Sequence, residues 1–506
     1  MNRRIRRALD SEKRRIAKRQ VDAVQPNYGG PVLTGGNIQY ELAEKTGAIV
    51  YGGIGALHRM VKKLGLAKRI DEKLKLLRVH HPYHESDHVL NIAYNPIWGG
   101  RTLDDIEHRR NDRLFLDALG ARMIPDPTTA GDFCRRFVAS DINALMDTIN
   151  ETRLEVWRAQ PKSFTEQTAR IDADGTMVPT TGECKEGMDI SYKGEWGYHP
   201  LIVSFANTGE PLFLLNRSGN RPSHEGVVEY YDKAIALCRR AGFTDILLRG
   251  DSDFSLTREF DRWTDDGVRF VFGYDVKPNL VAWADSAPQD IYEDLVARTE
   301  REIKTRPRAR PEKVKERIVR EREFKNIRTK SEEVVDFEYR PTKCKRTYRV
   351  VALRKNLSEE RGENVLFDRI RYFFYITNDN DLTPHEVIEE ARQRCNQENL
   401  IEQLKNGVRA LHAPVNTLNA NWAYMVMTAI AWSLKAWVGL MLPISRRWKD
   451  RHEAERQQII RMDFRTFLAA FVHVPAQIVR TGRRIIYRLL AWTPWQHVFF
   501  RFLEAT

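Results

Sequence analysis

The chain has few cysteines and no paired cysteine motif of the kind that binds zinc. Its cysteines are scattered singly, at Cys134, Cys184, Cys238, Cys344 and Cys395. This usage argues against a zinc site or a disulfide framework and is typical of a reducing cytosol. The basic start MNRRIRRALDSEKRRIAKRQ lacks the apolar core of a secretory signal, so we expect a cytoplasmic protein.

Long apolar runs are also scarce. Residues 421–442 are apolar enough for a transmembrane helix, but Asn421, Ser433 and Lys435 interrupt the run and no second span accompanies it. We therefore interpret the segment as a buried core helix and expect no membrane partner. The alternative, a membrane protein built around this segment, would require detergent to stay in solution.

Positive charge is in excess. The chain has 82 Lys and Arg residues against 69 Asp and Glu residues, a formal charge of +13. This balance favours a polyanionic partner, with nucleic acid as the first choice. Basic helices near the start of the chain suit a DNA-binding unit, although they are also common as solvated faces.

Patterning predicts an α/β protein with a mixed sheet, because strand-like runs alternate with amphipathic helices in the middle of the chain. Residues 451–506, which include TGRRIIYRLLAW, are predicted to be helical. The predicted regions are a basic arm and helical DNA-binding region (1–165), a first core part (166–275), a charged, β-rich insertion (276–370), a second core part (371–450) and a helical, basic C-terminal region (451–506).

Three acidic residues have the pattern of a phosphoryl-transfer site. Asp174 in RIDADGT and Asp251 in LLRGDSDFS stand at the ends of predicted strands. Glu398 is predicted to share one helix face with Arg394 and Lys405, in the spacing R-x3-E-x6-K. Carboxylates are the hard ligands that Mg²⁺ prefers, and two such ions support in-line displacement at phosphorus.

Patterning alone leaves two choices open. Asp172 shares a strand face with Asp174, and Asp253 shares one with Asp251, because side chains alternate with a period of two. Either member of each pair has the chemistry of a metal ligand.

A histidine cluster offers a second candidate metal site. HHPYHESDH contains His80, His81, His84 and His88. Pro82 interrupts the helical spacing, and no cysteine or carboxylate set completes the cluster. We therefore interpret these histidines as surface or packing residues.

The motifs resemble those of DDE transposases with an RNase H-like core, most closely the insertion-sequence 1380 family. YKGEWGYHPLIVSFANTGEPLFLLNRSGNRPSHEG resembles the segment after the first acid, LLRGDSDFS the second-acid strand, and R-x3-E-x6-K the third-acid signature. The likeness runs from Val79 into the C-terminal region. By position, it implies that Asp174, Asp251 and Glu398 are the catalytic, metal-binding acids.

The same resemblance implies the partners of the site. It implies two Mg²⁺ ions, replaceable by Mn²⁺, and DNA or phosphate contacts from Arg394, Lys405 and Arg409. Transposon-end DNA and target DNA would be bound by at least a homodimer, associated with the nucleoid of a bacterium. The sequence departs from the broader signature at Ala391, where a tyrosine is usual three residues before the arginine.

The function implied is a DNA transposase that binds terminal inverted repeats, cleaves the ends by metal-dependent hydrolysis and joins the 3′-hydroxyl ends to target DNA. Two alternatives remain open at this point. One is an RNase H-like nuclease without strand transfer, and the other is a catalytically inactive DNA-binding protein.

Overall fold

The structure, a computed structural model, is built around one large mixed sheet. The described residues are 3–22, 40, 46–182, 184–295, 322, 325–361, 364–481, 484–490 and 493–506. Most of the charged, proline-interrupted part of the predicted insertion therefore lies outside the described residues.

The first part of the chain is helical, as predicted. Its elements are α1 (Arg3–Asp22), β1 (Gly47–Ile49), α2 (Ile54–Lys63), α3 (Leu66–Lys73), α4 (Glu85–Tyr94), α5 (Ile106–Arg110), α6 (Arg113–Leu119), α7 (Pro127–Cys134), α8 (Ala139–Arg158) and α9 (Lys162–Thr165). In α8 the buried residues Ile142, Leu145 and Ile149 recur at helical spacing, which is why this long helix packs on one side.

The core strands follow α9. They are β2 (Ala169–Gly175), β3 (Val178–Pro179), β4 (Asp189–Ile190), β5 (Trp196–Tyr198), β6 (Leu201–Phe205), β7 (Glu210–Leu215), β8 (Ile246–Gly250) and β9 (Arg269–Tyr274). Between β7 and β8 runs α10 (Val227–Ala241), and between β8 and β9 runs α11 (Thr257–Asp265). The spatial order is β7-β6-β2-β8-β9, with β6 antiparallel to both neighbours and β8 and β9 parallel to β2. This is the RNase H-like arrangement, so the predicted fold class is confirmed.

The insertion extends the core sheet. It contributes α12 (Pro278–Ser286), β10 (Glu293–Asp294), β11 (Lys325–Tyr339), β12 (Tyr348–Arg361) and β13 (Asn364–Thr377). β13 pairs with β9, with Thr377 opposite Val271, so the sheet has nine strands among the described residues. The single strand β13 also runs through the predicted boundary between residues 370 and 371.

The remaining elements are α13 (Pro384–Gln393), α14 (Cys395–Glu402), α15 (Leu418–Leu440), α16 (Lys449–Arg461), α17 (Phe464–Phe467), β14 (Ala476–Thr481), β15 (Arg484–Leu489) and α18 (Gln496–Ala505). The C-terminal region is largely helical, but the helix predicted for TGRRIIYRLLAW is wrong. β14 and β15 form an antiparallel pair there, and β14 also pairs with β1, with Ala48 opposite Gln477. The β-branched Ile485 and Ile486 favour the extended conformation, and backbone pairing with β14 outweighs the helical spacing.

The apolar segment expected to be a core helix is α15. It is long and apolar enough to cross a membrane, but its most apolar window is entirely buried, as expected of a core helix. Its one buried lysine, Lys435, donates hydrogen bonds to the carbonyls of Ile460 at 2.8 Å and Met462 at 2.6 Å. These contacts explain how a charged side chain is accommodated in the core.

Candidate active site

Two of the three predicted acids lie at the same edge of the central sheet. Asp174 is near the end of β2, and Asp251 directly follows β8. These strands are adjacent and parallel, with Asp172 opposite Arg249, so their carboxyl ends meet. Gly273 lets the backbone of Asp251 pass close to β9, because a Cβ there would lie 3.1 Å from the Asp251 carbonyl carbon.

Glu398 reaches this edge on α14. The preceding residue, Gln397, is buried and holds the helix against β6: its Nε2 donates to the Ile202 carbonyl at 3.1 Å, and Ser204 Oγ donates to its Oε1. Ile202 is itself paired with Asp174 across β2 and β6. Gln397 therefore brings α14 against the strand next to the one that carries Asp174.

The helix that carries these groups is interrupted. The predicted single α-helix is interrupted, because Arg394 lies at the junction of α13 and α14 and Lys405 lies in a π-helical turn. Arg394, Glu398 and Lys405 nevertheless all lie within electrostatic range of Asp174. In that turn the Val408 N–H donates to the Gln403 carbonyl at 2.9 Å. The apolar stripe is buried as predicted; its members are Ile401, Leu404, Val408 and Leu411.

The three carboxylates form a centre of negative charge. Burial raises the pKa of the Asp174 carboxyl to about 6; Arg394 opposes the rise, and the charges of Asp251 and Glu398 add to it. Burial also raises the pKa of Asp251, again against the effect of Arg394. The charges of Asp251 and Glu398 therefore both act on Asp174, and Arg394 offsets part of the rise in its pKa.

This donor set fits a hard divalent cation. Asp174, Asp251 and Glu398 offer only carboxylate oxygens, which suit Mg²⁺ and Mn²⁺. A cation among them would also oppose the burial and the carboxylate repulsion that together raise the pKa of Asp174.

The structure distinguishes the two members of each aspartate pair that patterning left open. Asp172 is fully buried, and its two oxygens accept hydrogen bonds from Arg249, Oδ1 from Nε at 2.7 Å and Oδ2 from Nη2 at 2.9 Å. Asp253 is exposed, and its N–H donates to Asp251 Oδ1 at 3.0 Å. Asp172 is thus committed to an internal ion pair, whereas Asp174 and Asp251 face the acidic centre.

Lys405 lies beside the acids. Burial lowers the pKa of Lys405, and the charges of Glu195, Glu402 and Asp174 oppose that shift. The structure therefore places this predicted phosphate-binding residue within electrostatic range of Asp174.

Arg409 lies next to a large cavity. Its backbone is left-handed, with φ 57°, and its Nε donates to the Arg101 carbonyl at 2.9 Å. The cavity has a volume of about 1010 Å³ and is lined by Arg409 together with Arg101, Thr180, Glu195, Trp196, His412 and Tyr424. Glu195 links the cavity to the acidic centre, since it also acts on Lys405.

Comparison with known proteins gives the family. A family model described as the transposase DDE domain, group 1, matches residues 43–505. The chain belongs to this family of DDE transposases. The predicted transposase identity is thereby confirmed, and membership implies a divalent metal ion; the narrower assignment to the insertion-sequence 1380 family stays a prediction.

The transposase is also similar to a solved structure, the cryo-EM structure of a piggyBac transposase synaptic complex with hairpin DNA. The two are 10% identical, the match covers 85% of this chain and 83% of that one, and the TM-score is 0.36. A comparison with curated proteins gives no match.

Sequence reasoning missed several residues that support the transposase site. Gln397 anchors the helix that carries Glu398 to β6, and Arg249 and Glu390 connect β8 with β2 and α13. A signal for Arg249 was available, because a charged residue inside the otherwise apolar run ILLRG needs a buried partner. No pattern identifies Gln397 or Glu390, whose partners are far away in the sequence.

The histidine cluster lies on α4 and the loop before it. Side-chain ligand atoms of His80, His84 and Glu85 lie within 4.8 Å of one another. The rings of His80 and His84 stack, and Glu85 Oε1 accepts the N–H groups of Leu76 at 3.0 Å and Leu77 at 3.1 Å. Glu85 thus supplies a carboxylate that sequence patterning did not assign to the cluster, and the interpretation of these histidines as surface or packing residues stays a prediction.

Proposed function

We propose that this transposase binds the inverted repeats at the ends of its own element, hydrolyses a phosphodiester at each end and joins the freed 3′-hydroxyl to target DNA. The observation that carries the proposal is the convergence of Asp174, Asp251 and Glu398 at one edge of the sheet, next to Arg394. Three acidic groups from distant parts of the chain, two of which, Asp174 and Asp251, have a pKa raised by burial, are suited to metal-dependent phosphoryl transfer.

Asp174, Asp251 and Glu398 would hold two Mg²⁺ ions, with Mn²⁺ as a substitute. Bound there, the ions would supply an activated oxygen nucleophile and charge stabilisation for the departing oxygen. The carboxylates must be ionised for this role, so protonation of Asp174, with its pKa of about 6, competes directly with metal binding.

Arg394 and Lys405 would hold the phosphates on either side of the reacting bond. Arg394 has Nη1 3.4 Å from Asp174 Oδ2, and its guanidinium has further donors for a phosphate. Lys405 lies on the other side of Glu398 in the chain and acts as a point charge. Placing the phosphate between these two cations would align it with the carboxylates.

The cavity beside Arg409 would receive DNA next to the cleavage point. Its lining combines the cations Arg101 and Arg409 with the half-exposed ring of Trp196, a pairing of phosphate contact and base stacking. The helical region of residues 1–165, which contributes Arg101, would share in recognising the ends. We assign target DNA to the same face.

Pairing two ends requires two active sites, so we propose a homodimer in the active complex. The net charge of +13 supports a protein that stays on DNA, in the nucleoid of a bacterium.

The experiment is cleavage and strand transfer on labelled DNA carrying the sequences that flank the coding region, with Mg²⁺ and with EDTA. The expected result is Mg²⁺-dependent nicking at the ends, followed by joined products, both absent in Asp174→Ala. Nicking without joined products would replace the proposal with a nuclease. Binding without cutting in either Mg²⁺ or Mn²⁺ would overturn the catalytic assignment.

A further inference from the structure

A layer of buried charge lies next to the three acids. Arg249 on β8 is 1% exposed, and besides its two hydrogen bonds to Asp172 on β2 it reaches α13. Its Nη1 donates to Glu390 Oε2 at 2.9 Å and to the Glu390 carbonyl at 3.2 Å. One guanidinium therefore connects two core strands and the helix that leads to Glu398.

On each strand, the buried charged residue lies two positions before one of the proposed catalytic acids. Asp172 and Asp174 are two residues apart on β2, and Arg249 and Asp251 are two residues apart at the end of β8. Members of each pair project from the same face. The Asp172–Arg249 contact therefore joins β2 and β8 two residues before Asp174 and Asp251.

On the helical side, the chain is anchored before and after the junction at Arg394. Before it, Glu390 also accepts hydrogen bonds from Arg170 Nε, at 3.1 Å to Oε1 and 2.9 Å to Oε2. After it, Gln397 contacts β6 as described above. Glu390 and Gln397 therefore contact the core sheet on either side of the junction that precedes Glu398.

The charges of the layer balance. The carboxylates of Asp172 and Glu390 face the guanidinium groups of Arg249 and Arg170. Although burial raises it, the hydrogen bonds and charges of Arg170 and Arg249 keep the pKa of Glu390 below its usual value. The layer therefore supplies rigid connections without adding net charge to the acidic centre, which keeps its affinity for a cation.

We propose that Arg249 and Glu390 are positioning residues that fix the helix carrying Glu398 against the strands carrying Asp174 and Asp251. The three carboxylates then stand ready before a divalent cation binds. The inference rests on the proposed function of these acids. Without the Glu390 anchor, cation binding must also order the helix, and the affinity falls.

The test compares Glu390→Gln with Glu389→Gln in the full-length protein. Both changes remove one negative charge from α13, but Glu389 is exposed whereas Glu390 is mostly buried against Arg170 and Arg249. The readouts are the dissociation constant for Mn²⁺ by calorimetry and amide hydrogen exchange across residues 384–402. Arg170→Gln is the second variant in case Glu390→Gln does not fold. Arg170 is partly exposed, and its replacement removes one of the two partners that hold Glu390.

We expect Glu390→Gln and Arg170→Gln to bind Mn²⁺ about tenfold more weakly than wild type, with faster exchange in α14, and Glu389→Gln to match wild type. Wild-type affinity and exchange in the folded Glu390→Gln protein would overturn the positioning role while leaving the acids intact. The variant Asp174→Asn tests the proposed function itself. If this variant bound Mn²⁺ as tightly as wild type, the acidic site would be overturned, and this inference with it.

Discussion

Arg394 places its Nη1 3.4 Å from Oδ2 of Asp174, and so joins the junction of α13 and α14 to the end of β2. This contact opposes the pKa increase that burial imposes on Asp174. It leads to a prediction about pH.

We predict that Mn²⁺ affinity decreases as the pH falls through about 6, because Asp174 must lose its proton before it can bind a cation. In Arg394→Gln the attraction is lost, so the decrease should begin at higher pH. Calorimetry over pH 5 to 8 measures both profiles, with Lys162→Gln as the control. Lys162 lies before the start of β2, at the strand end opposite Asp174. Identical profiles for Arg394→Gln and wild type would contradict the role of this contact.

The ionised carboxylate of Asp174 should reduce the free energy of unfolding when no metal is present. Its folded pKa, about 6, lies above the unfolded value of 3.8, so its stabilising contribution is present below pH 3.8 and is lost as the pH rises through about 6. We therefore expect Asp174→Asn to increase the free energy of unfolding at pH 8 in EDTA, by up to about 3 kcal/mol. Thermal unfolding at pH 4 and pH 8 measures the difference, which should shrink at the lower pH. The exposed Asp253→Asn serves as the control, and an unstabilised Asp174→Asn would refute the prediction.

Replacement of the other two acids separates catalysis from binding. Asp251→Asn and Glu398→Gln should each reduce end cleavage at least about a hundredfold, since each removes a proposed metal ligand worth several kcal/mol. Retention on labelled end DNA should be unchanged. Asp253→Asn, two residues from Asp251 and exposed, should cleave normally. Loss of cleavage in Asp253→Asn alone would reverse the choice within that pair.

A stability prediction follows from the buried pair of Arg153 and Glu210. Glu210 Oε1 accepts from Arg153 Nε at 3.0 Å and from Trp437 Nε1 at 2.8 Å, which ties α8 and α15 to β7. Glu210→Ala leaves a buried guanidinium without its carboxylate and should cost about 3–5 kcal/mol.

Glu229→Ala is the matched control, because it breaks an exposed pair with Lys233 and should cost less than about 1 kcal/mol. Denaturant unfolding measures both variants. Equal costs would show that the buried pair contributes no more than a surface pair.

The cavity gives a prediction about DNA. Arg409→Asn removes a cation at its wall while keeping a residue type that tolerates φ 57°. We expect weaker binding at every sequence tested and a salt dependence reduced by about one unit of slope, the signature of one lost phosphate contact. Lys162→Asn, at the opposite sheet edge, should leave both quantities unchanged. An unchanged slope in Arg409→Asn would remove this residue from the DNA contacts.

The sequence was sufficient to predict the mixed sheet, the buried α15 and the positions of the acids at strand ends, because each depends on local periodicity or on a compact motif. The conformation of the helix that carries Glu398 was harder to predict. Its spacing fits one α-helix, but the π-helical turn at Gln403–Gly407 reflects packing of the apolar stripe, which local spacing does not report. The sequence indicates that Arg249 needs a buried partner but does not identify that partner, since the contact with Asp172 depends on the parallel register between β2 and β8.

In the hairpin of β14 and β15, the local spacing of apolar residues was misleading. Ile485, Ile486, Leu489 and Leu490 suit a helix face, yet β15 completes a small sheet with β14 and β1. Pairing with β14, which is itself held by β1 from the other end of the chain, decides between the two conformations.

That pairing has a consequence for synthesis. β1 emerges from the ribosome early, but its partner β14 is made only when translation is nearly complete. The sheet of β1, β14 and β15 can therefore close only when translation is almost finished. A chain shortened by a late frameshift before β14 would lack this connection between its two ends.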